Sequence, residues 1–131
     1  MDSPCPCCGT LPYVACCGRW HAGQAAPTAE ALMRSRYSAY VLGLADYLLA
    51  TWHPQTRPAV MAPGASGQRW LGLSVKRCNS QDDDHATVEF VARSKLAGRA
   101  QRLHEVSRFE RHRGRWFYLD GNSDDVKQTP P

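Results

Sequence analysis

Trp70-Leu71-Gly72-Leu73-Ser74-Val75-Lys76-Arg77-Cys78 and, after the polar run Asn79 to Asp84, Ala86-Thr87-Val88-Glu89-Phe90-Val91-Ala92-Arg93-Ser94-Lys95 decide the fold. In the first segment Leu71, Leu73 and Val75 recur at every second position; in the second Val88, Phe90 and Ala92 do. A period of two places alternate side chains on opposite faces of a strand. The polar run between the segments reads as a turn, so the two strands pair antiparallel. Downstream, Gly98 marks a connection, and Gln101 to Arg111 with Arg115 to Gly121 forms a hairpin around Arg113-Gly114. The second half is therefore an antiparallel sheet of about four strands. Beyond it, Asn122 to Pro131 reads as a loosely ordered tail.

Upstream the period changes. Thr28 is placed to cap a helix, with Glu30 in its first turn. Ala29, Met33, Tyr37, Tyr40 and Leu44 follow at helical spacing, and Leu32 and Val41 widen the stripe. Gly43 ends or kinks this helix. A second, short helix buries Tyr47, Leu48 and Trp52 and stops at His53-Pro54, because the residue before a proline disfavours helical geometry. Gln55 to Gly67 is a loop. Helices followed by an antiparallel sheet give an α+β class, with the helices packed on one face of a curved sheet.

The N-terminal segment carries five of the six cysteines: Cys5, Cys7, Cys8, Cys16 and Cys17. Cys-x-Cys sets two ligands on one tight corner and Cys16-Cys17 supplies two more from another. Pro4, Pro6, Gly9, Pro12 and Gly18 enforce the turns. Clustered thiolates of this kind suit a tetrahedral structural zinc ion. The expected ligands are Cys5, Cys7, Cys16 and Cys17, with Cys8 as an alternative to Cys7 and His21 as an alternative to Cys17. Cys78 lies in a strand pattern and reads as a small buried or edge residue.

The chain has 131 residues, enough for one ordinary core and a small appendage. The expected division is a zinc knuckle over residues 1–22 and one α+β domain over 23–131. Neither an apolar leader nor a stretch long enough to span a bilayer is read from the sequence, so a cytoplasmic protein that does not enter the membrane is expected. In a reducing cytosol, clustered thiols serve as metal ligands more often than as disulfides. The net charge is +4, unevenly spread. Eight basic residues fall between Arg93 and Arg115, opposed only by Glu105 and Glu110, while acids gather at Asp82-Asp83-Asp84 and Asp124-Asp125. A solvated outer face of the sheet accounts for this; a polyanion partner is the alternative.

Cys5-Pro6-Cys7-Cys8-Gly9-Thr10, then Tyr13, then Cys16-Cys17-Gly18 resembles the SEC-C motif, a zinc-binding segment known from the tail of the SecA translocation motor. The resemblance extends through Ala26 to Tyr40, Thr51-Trp52-His53-Pro54 and Gly114 to Gly121, which are similar to the YchJ-like family of bacterial proteins. That family joins an SEC-C motif to a cone-shaped, cystatin-like domain of the nuclear-transport-factor-2-like fold. The resemblance implies the fold and a zinc cofactor and supplies no activity.

Cones of this shape leave room for a pocket between helices and sheet. Residues placed to line one are Arg36, Tyr37, Tyr40, Trp52 and His53 from the helices, Glu105 and Ser107 from the third strand, and Asp120 from the last. Glu105 shares its face with Leu103, Ser107 and Phe109. A carboxylate there needs compensation, and an ion pair with Arg36 or another inward basic group is expected, with Ser107 placed to donate a hydrogen bond; Glu105→Gln would then cost roughly 3 kcal/mol. No nucleophile–base arrangement is recognisable, so no catalytic residue is assigned. The expected function is a non-enzymatic zinc protein whose knuckle docks on an unknown protein partner, joined to a small-ligand or partner domain. The alternatives are a small enzyme using the cone pocket, and a nucleic-acid or ribosome-associated factor using the basic sheet face.

Overall fold

The computed structural model describes residues 3–63 and 67–123. Asn122 and Ser123, expected in the tail, extend the last strand opposite Val106 and Glu105; from position 124 onward the expected tail lies outside the described residues. A 3-10 turn at Tyr13–Ala15 leads into α1 (Cys17–His21), followed by α2 (Ala29–Leu42) and α3 (Ala45–Ala50). Four strands follow: β1 (Arg69–Asp82), β2 (His85–Leu96), β3 (Arg99–His112) and β4 (Arg115–Ser123). They form one antiparallel meander in the order β1-β2-β3-β4. Among the described residues no helix is long and apolar enough to cross a membrane.

α2 forms where its caps and stripe demand. The Thr28 hydroxyl accepts from the Ala31 backbone N–H at 3.0 Å, a cap contributing about 1 kcal/mol. Gly43 terminates the helix in the left-handed conformation. The inward stripe, including Leu32, Met33 and Tyr37, packs against Val88, Phe90, Ala92, Phe109 and Trp116 from the sheet. After α3 the chain runs alongside β4: His53 N–H donates to the Tyr118 carbonyl (2.8 Å), and Tyr118 N–H donates to that of Thr51 (2.9 Å). This contact covers part of the last strand's free edge.

The sheet departs from simple alternation at bulges, and two of them move residues between faces. In β1, Trp70 pairs with Ser94 and Gly72 with Arg93, so Leu71 is an extra residue. Trp70 consequently packs against the core beside Leu73 and Val75, whereas Leu71, expected inward, is 55% exposed. In β4, Tyr118 pairs with Phe109 and Asp120 with Arg108, leaving Leu119 as the extra residue. Tyr118 stays inside, Asp120 emerges on the outer face, and Gly121 takes the inner position opposite Ser107.

The cysteine segment is packed into the same core. Cys5, Cys7 and Cys17 are fully buried and cluster with Leu32 and Met33 of α2. Polar contacts reinforce the seam. His21 Nε2 donates to the Ser35 carbonyl (2.8 Å), and Arg34 Nη1 donates to the Cys7 carbonyl (3.4 Å). Packing is thus continuous across the expected division at residues 22 and 23.

Candidate metal centre and cone cavity

Two corners bring the cysteines together. At the first, the Cys5 carbonyl accepts from the backbone N–H of Gly9 (2.8 Å), with Cys8 N–H further off (3.3 Å), while Cys5 N–H donates to the Leu11 carbonyl (2.8 Å). At the second, the 3-10 turn runs into α1, and Cys16 N–H donates to the Tyr13 carbonyl (3.0 Å). Tight packing follows: a Cβ at Gly18 would sit 2.7 Å from the Tyr13 carbonyl oxygen and 3.0 Å from its ring. The resulting sulfurs of Cys5, Cys7, Cys16 and Cys17 all lie within 4.8 Å of one another. Cys5 and Cys7 Sγ are 3.7 Å apart, and Cys7 and Cys16 Sγ 3.6 Å. A tetrahedron of sulfurs about 2.3 Å from a zinc ion has edges of about 3.8 Å, so this donor set fits the ion. Disulfide bonding would require about 2.05 Å, and the described cysteines are free thiols.

The electrostatics of the metal-free cluster have the same meaning. Cys7 is pushed well up, first by its hydrogen bond with Cys17, then by burial and the neighbouring sulfurs. Cys16 is pushed up to about 12 by burial and by Cys7. Burial also raises Cys5, but hydrogen bonds from the Cys7 backbone and the Ser38 hydroxyl outweigh it, so its pKa ends lowered. Several thiolates cannot be ionised side by side without a cation between them.

The alternative ligands stand apart from the cluster. Both ring nitrogens of His21 are engaged: Nδ1 accepts from the Tyr13 hydroxyl (2.5 Å) and Nε2 donates to the Ser35 carbonyl. His21 therefore ties the knuckle to α2. Cys8 is exposed, accepts from Leu11 N–H (3.5 Å), and has its thiol lowered to about 6 by Thr10 and the Leu11 N–H. Cys78, exposed on β1, lies 3.4 Å from Glu30 Oε1. One supporting residue escaped the sequence reading. The Ser38 hydroxyl, buried on α2, lies 3.3 Å from Cys17 Sγ and 3.5 Å from Cys5 Sγ. Its only signal was a pair of serines, Ser35 and Ser38, one turn apart within an apolar stripe.

Between α2 and the sheet is a cavity of ≈ 110 Å³. Of the expected lining, Arg36, Tyr37, Tyr40, Trp52, Glu105 and Ser107 are present, together with Met33, Trp70, Phe90, Leu103 and Tyr118. His53 and Asp120 are absent from it. His53 bonds Glu110 (3.0 Å) beside the sheet. The β4 bulge carries Asp120 to the outer face, where Arg108 grips both of its oxygens at 2.6 Å and holds its carboxyl below the usual range.

The expected Glu105–Arg36 ion pair is not formed. Arg36, 5% exposed, donates from Nη1 to the Leu48 carbonyl (2.8 Å) and to Thr51 Oγ1 (2.7 Å). Its guanidinium lies against the rings of Trp52 (5.0 Å) and Tyr118 (4.6 Å). Glu105, half-buried, turns to its own strand instead. Its Oε2 accepts a short hydrogen bond from Ser107 and a longer one from the Tyr118 hydroxyl (3.4 Å). It lies over Gly121, where the absence of a side chain makes room for it. Tyr118 is pushed up by burial and by the Glu105 charge; Tyr40 is raised by burial, with Arg36 opposing.

Residues 28–121 match the family described as "YchJ, middle NTF2-like domain". The chain belongs to the YchJ-like family. Its relatives carry the family label UPF0225. One from Bordetella pertussis is 60% identical over 121 residues, covering 90% of this chain and 91% of that protein. Another, from Methylibium petroleiphilum, is 63% identical over 123 residues, covering 92% and 89%. Two solved structures, both of SEC-C motif-containing proteins, resemble this YchJ-like chain closely. The solution structure from Rhodopseudomonas palustris has a TM-score of 0.81 at 35% identity, covering 93% of this chain and 99% of that one. The crystal structure from Psychrobacter arcticus has a TM-score of 0.76 at 30% identity, covering 98% and 85%. The YchJ-like assignment establishes the nuclear-transport-factor-2-like domain over residues 28–121, and the chain's four-cysteine cluster has SEC-C motif-containing proteins as structural neighbours.

Proposed function

We propose that this YchJ-like protein is a cytosolic zinc protein in which Cys5, Cys7, Cys16 and Cys17 hold one zinc ion and the stiffened knuckle docks on a protein partner. The observation that carries the reading is the sulfur spacing, which fits a zinc tetrahedron with no open position. A bound ion would hold the two corners together and neutralise the thiolates; Ser38 would orient two of them from the second layer. Free thiols support a reducing compartment. A docking role is supported by Leu11 and Val14, which stand 51% and 60% exposed on the loop that closes the site. Photo-crosslinkers at positions 11 and 14 test the docking claim. A discrete adduct in bacterial extract is expected with metal-loaded protein and is lost after chelation. An adduct that persists when the metal is stripped contradicts a zinc-dependent docking surface.

A second reading rests on the sheet's outer face. Arg93 faces Arg102 across the ladder, Lys95 faces Ala100 and Arg69, and all four charges are exposed. Among the described residues no carboxylate pairs with them, whereas Arg108 and Arg111 are matched by Asp120 and Asp84. Like charges placed opposite each other cost stability, so a polyanion such as nucleic acid would relieve them. Binding of single-stranded RNA that weakens steeply with salt, and vanishes in Arg93→Glu/Arg102→Glu, would favour this reading; salt-independent binding would oppose it.

A further inference from the structure

We propose that the cone cavity binds a small amino or hydroxy acid with an apolar body, its carboxylate meeting Arg36 and its amino or hydroxyl group meeting Glu105. This stands on the cavity alone and is independent of the metal reading.

A buried guanidinium without a counter-ion is costly, because desolvation is not repaid by a facing charge. Arg36 has no carboxylate in ion-pair contact, and Glu105, across the cavity, offsets only part of that cost. Two bonds leave through Nη1 to neutral acceptors, the Tyr40 hydroxyl adds a neutral contact, and stacking on Trp52 and Tyr118 compensates only in part. Arginine keeps its charge even when buried, so the cavity holds a fixed cation. Trp52 adds an indole N–H that is buried and, among the described residues, has no acceptor. Donors outnumber acceptors on this wall, and a planar carboxylate is the group that a guanidinium fork matches best.

The opposite wall sets the second half of the ligand. Glu105 spends only Oε2 on Ser107 and Tyr118; among the described residues Oε1 accepts no bond. A simple anion on Arg36 would be repelled by this carboxylate. A ligand carrying a donor as well as a carboxylate turns that repulsion into a hydrogen bond. The remaining lining, Met33, Phe90, Leu103 and Trp70, is apolar and suits an aliphatic or aromatic body. The volume, which would otherwise hold several waters, limits the ligand to a small one.

The test uses full-length, zinc-loaded, isotope-labelled protein and three probes: L-leucine, isocaproate (no amine) and isoamylamine (no carboxylate). L-Leucine is expected to shift the amides of cavity residues saturably, and each analogue to bind weaker by about ten-fold or more, the loss of one charge-assisted bond. Glu105→Gln should narrow the gap between L-leucine and isocaproate, and Arg36→Lys should weaken both by about ten-fold. Should the Arg36 variant fail to fold, Leu103→Trp, which fills the cavity from its wall and leaves both charged groups in place, should block L-leucine. The proposal is overturned if L-leucine gives no saturable shift at millimolar concentration, if isocaproate binds as well as L-leucine, or if folded Leu103→Trp binds it unchanged.

Discussion

Replacing Gly121 by alanine isolates the contact that organises the inward carboxylate of Glu105. The three atoms nearest to an added Cβ all belong to Glu105, with Oε2 and Cδ inside van der Waals contact and Cγ at 2.8 Å. The carboxylate is the flexible end of its side chain, so it can swing away; the cost is what it leaves behind. Its short bond from Ser107 is charge-assisted and contributes about 2 kcal/mol, while the Tyr118 bond, at 3.4 Å, adds little. Alanine restricts the unfolded chain and returns about 0.5 kcal/mol. The expected net loss is about 1.5 kcal/mol, or a melting midpoint lower by roughly 5–10 °C. Denaturant unfolding of Gly121→Ala, Glu105→Ala and the double variant measures the coupling. In the Glu105→Ala background the alanine should be neutral or stabilising by about 0.5 kcal/mol. An equal loss in both backgrounds would refute the assignment of the crowding to Glu105.

Because Glu105 is not ion-paired with Arg36, Glu105→Gln should cost about 1 kcal/mol or less, since a carboxamide oxygen still accepts from Ser107; a loss near the 3 kcal/mol of a broken buried pair in urea unfolding would contradict the geometry. The shared packing of the knuckle and α2 predicts that a chain of residues 23–131 still melts cooperatively, but roughly 5–10 °C below the full protein; either no transition or an unchanged one in calorimetry would argue against it. In metal-free protein the Cys16 pKa is raised from 9.0 to about 12, so the neutral thiol is the form the fold favours. Its contribution is fully present below about pH 9 and is lost as the pH rises toward 12, so metal-free protein should lose stability over that alkaline range and zinc-loaded protein should not. Identical alkaline melting profiles for the two forms would disprove the linkage.

Much of this molecule was legible in residue order. The Thr28 cap, the Gly43 stop and the Arg113-Gly114 hairpin are local signals, and each element formed where its signal stood. The four sulfurs were legible because their spacing constrains the loop directly. What period-two reading misassigned were faces of strands next to a bulge. A single extra residue, Leu71 or Leu119, breaks the alternation so that the two sides of the bulge follow opposite parity, and no local residue type announced either one. Leu71 was thereby exchanged for Trp70, and Asp120 was lost from the cavity to Arg108. The Arg36–Glu105 pairing failed for a different reason. Both side chains do reach the cavity, but Thr51 and Leu48 hold one nitrogen of the arginine and two aromatic rings fix its plane, while Ser107 claims the carboxylate two residues along its own strand. Ser38 was invisible because its role depends on α2 crossing the cysteine corners, a tertiary contact with no sequence period.

X-ray absorption at the zinc edge, on protein purified without added metal, tests the central claim most directly. The account predicts about one zinc ion per chain with four sulfur neighbours at about 2.3 Å, and a spectrum unaltered by Cys8→Ser or His21→Ala. A shell containing nitrogen or oxygen, a spectrum that changes with Cys8, or well-folded protein carrying no metal would contradict it.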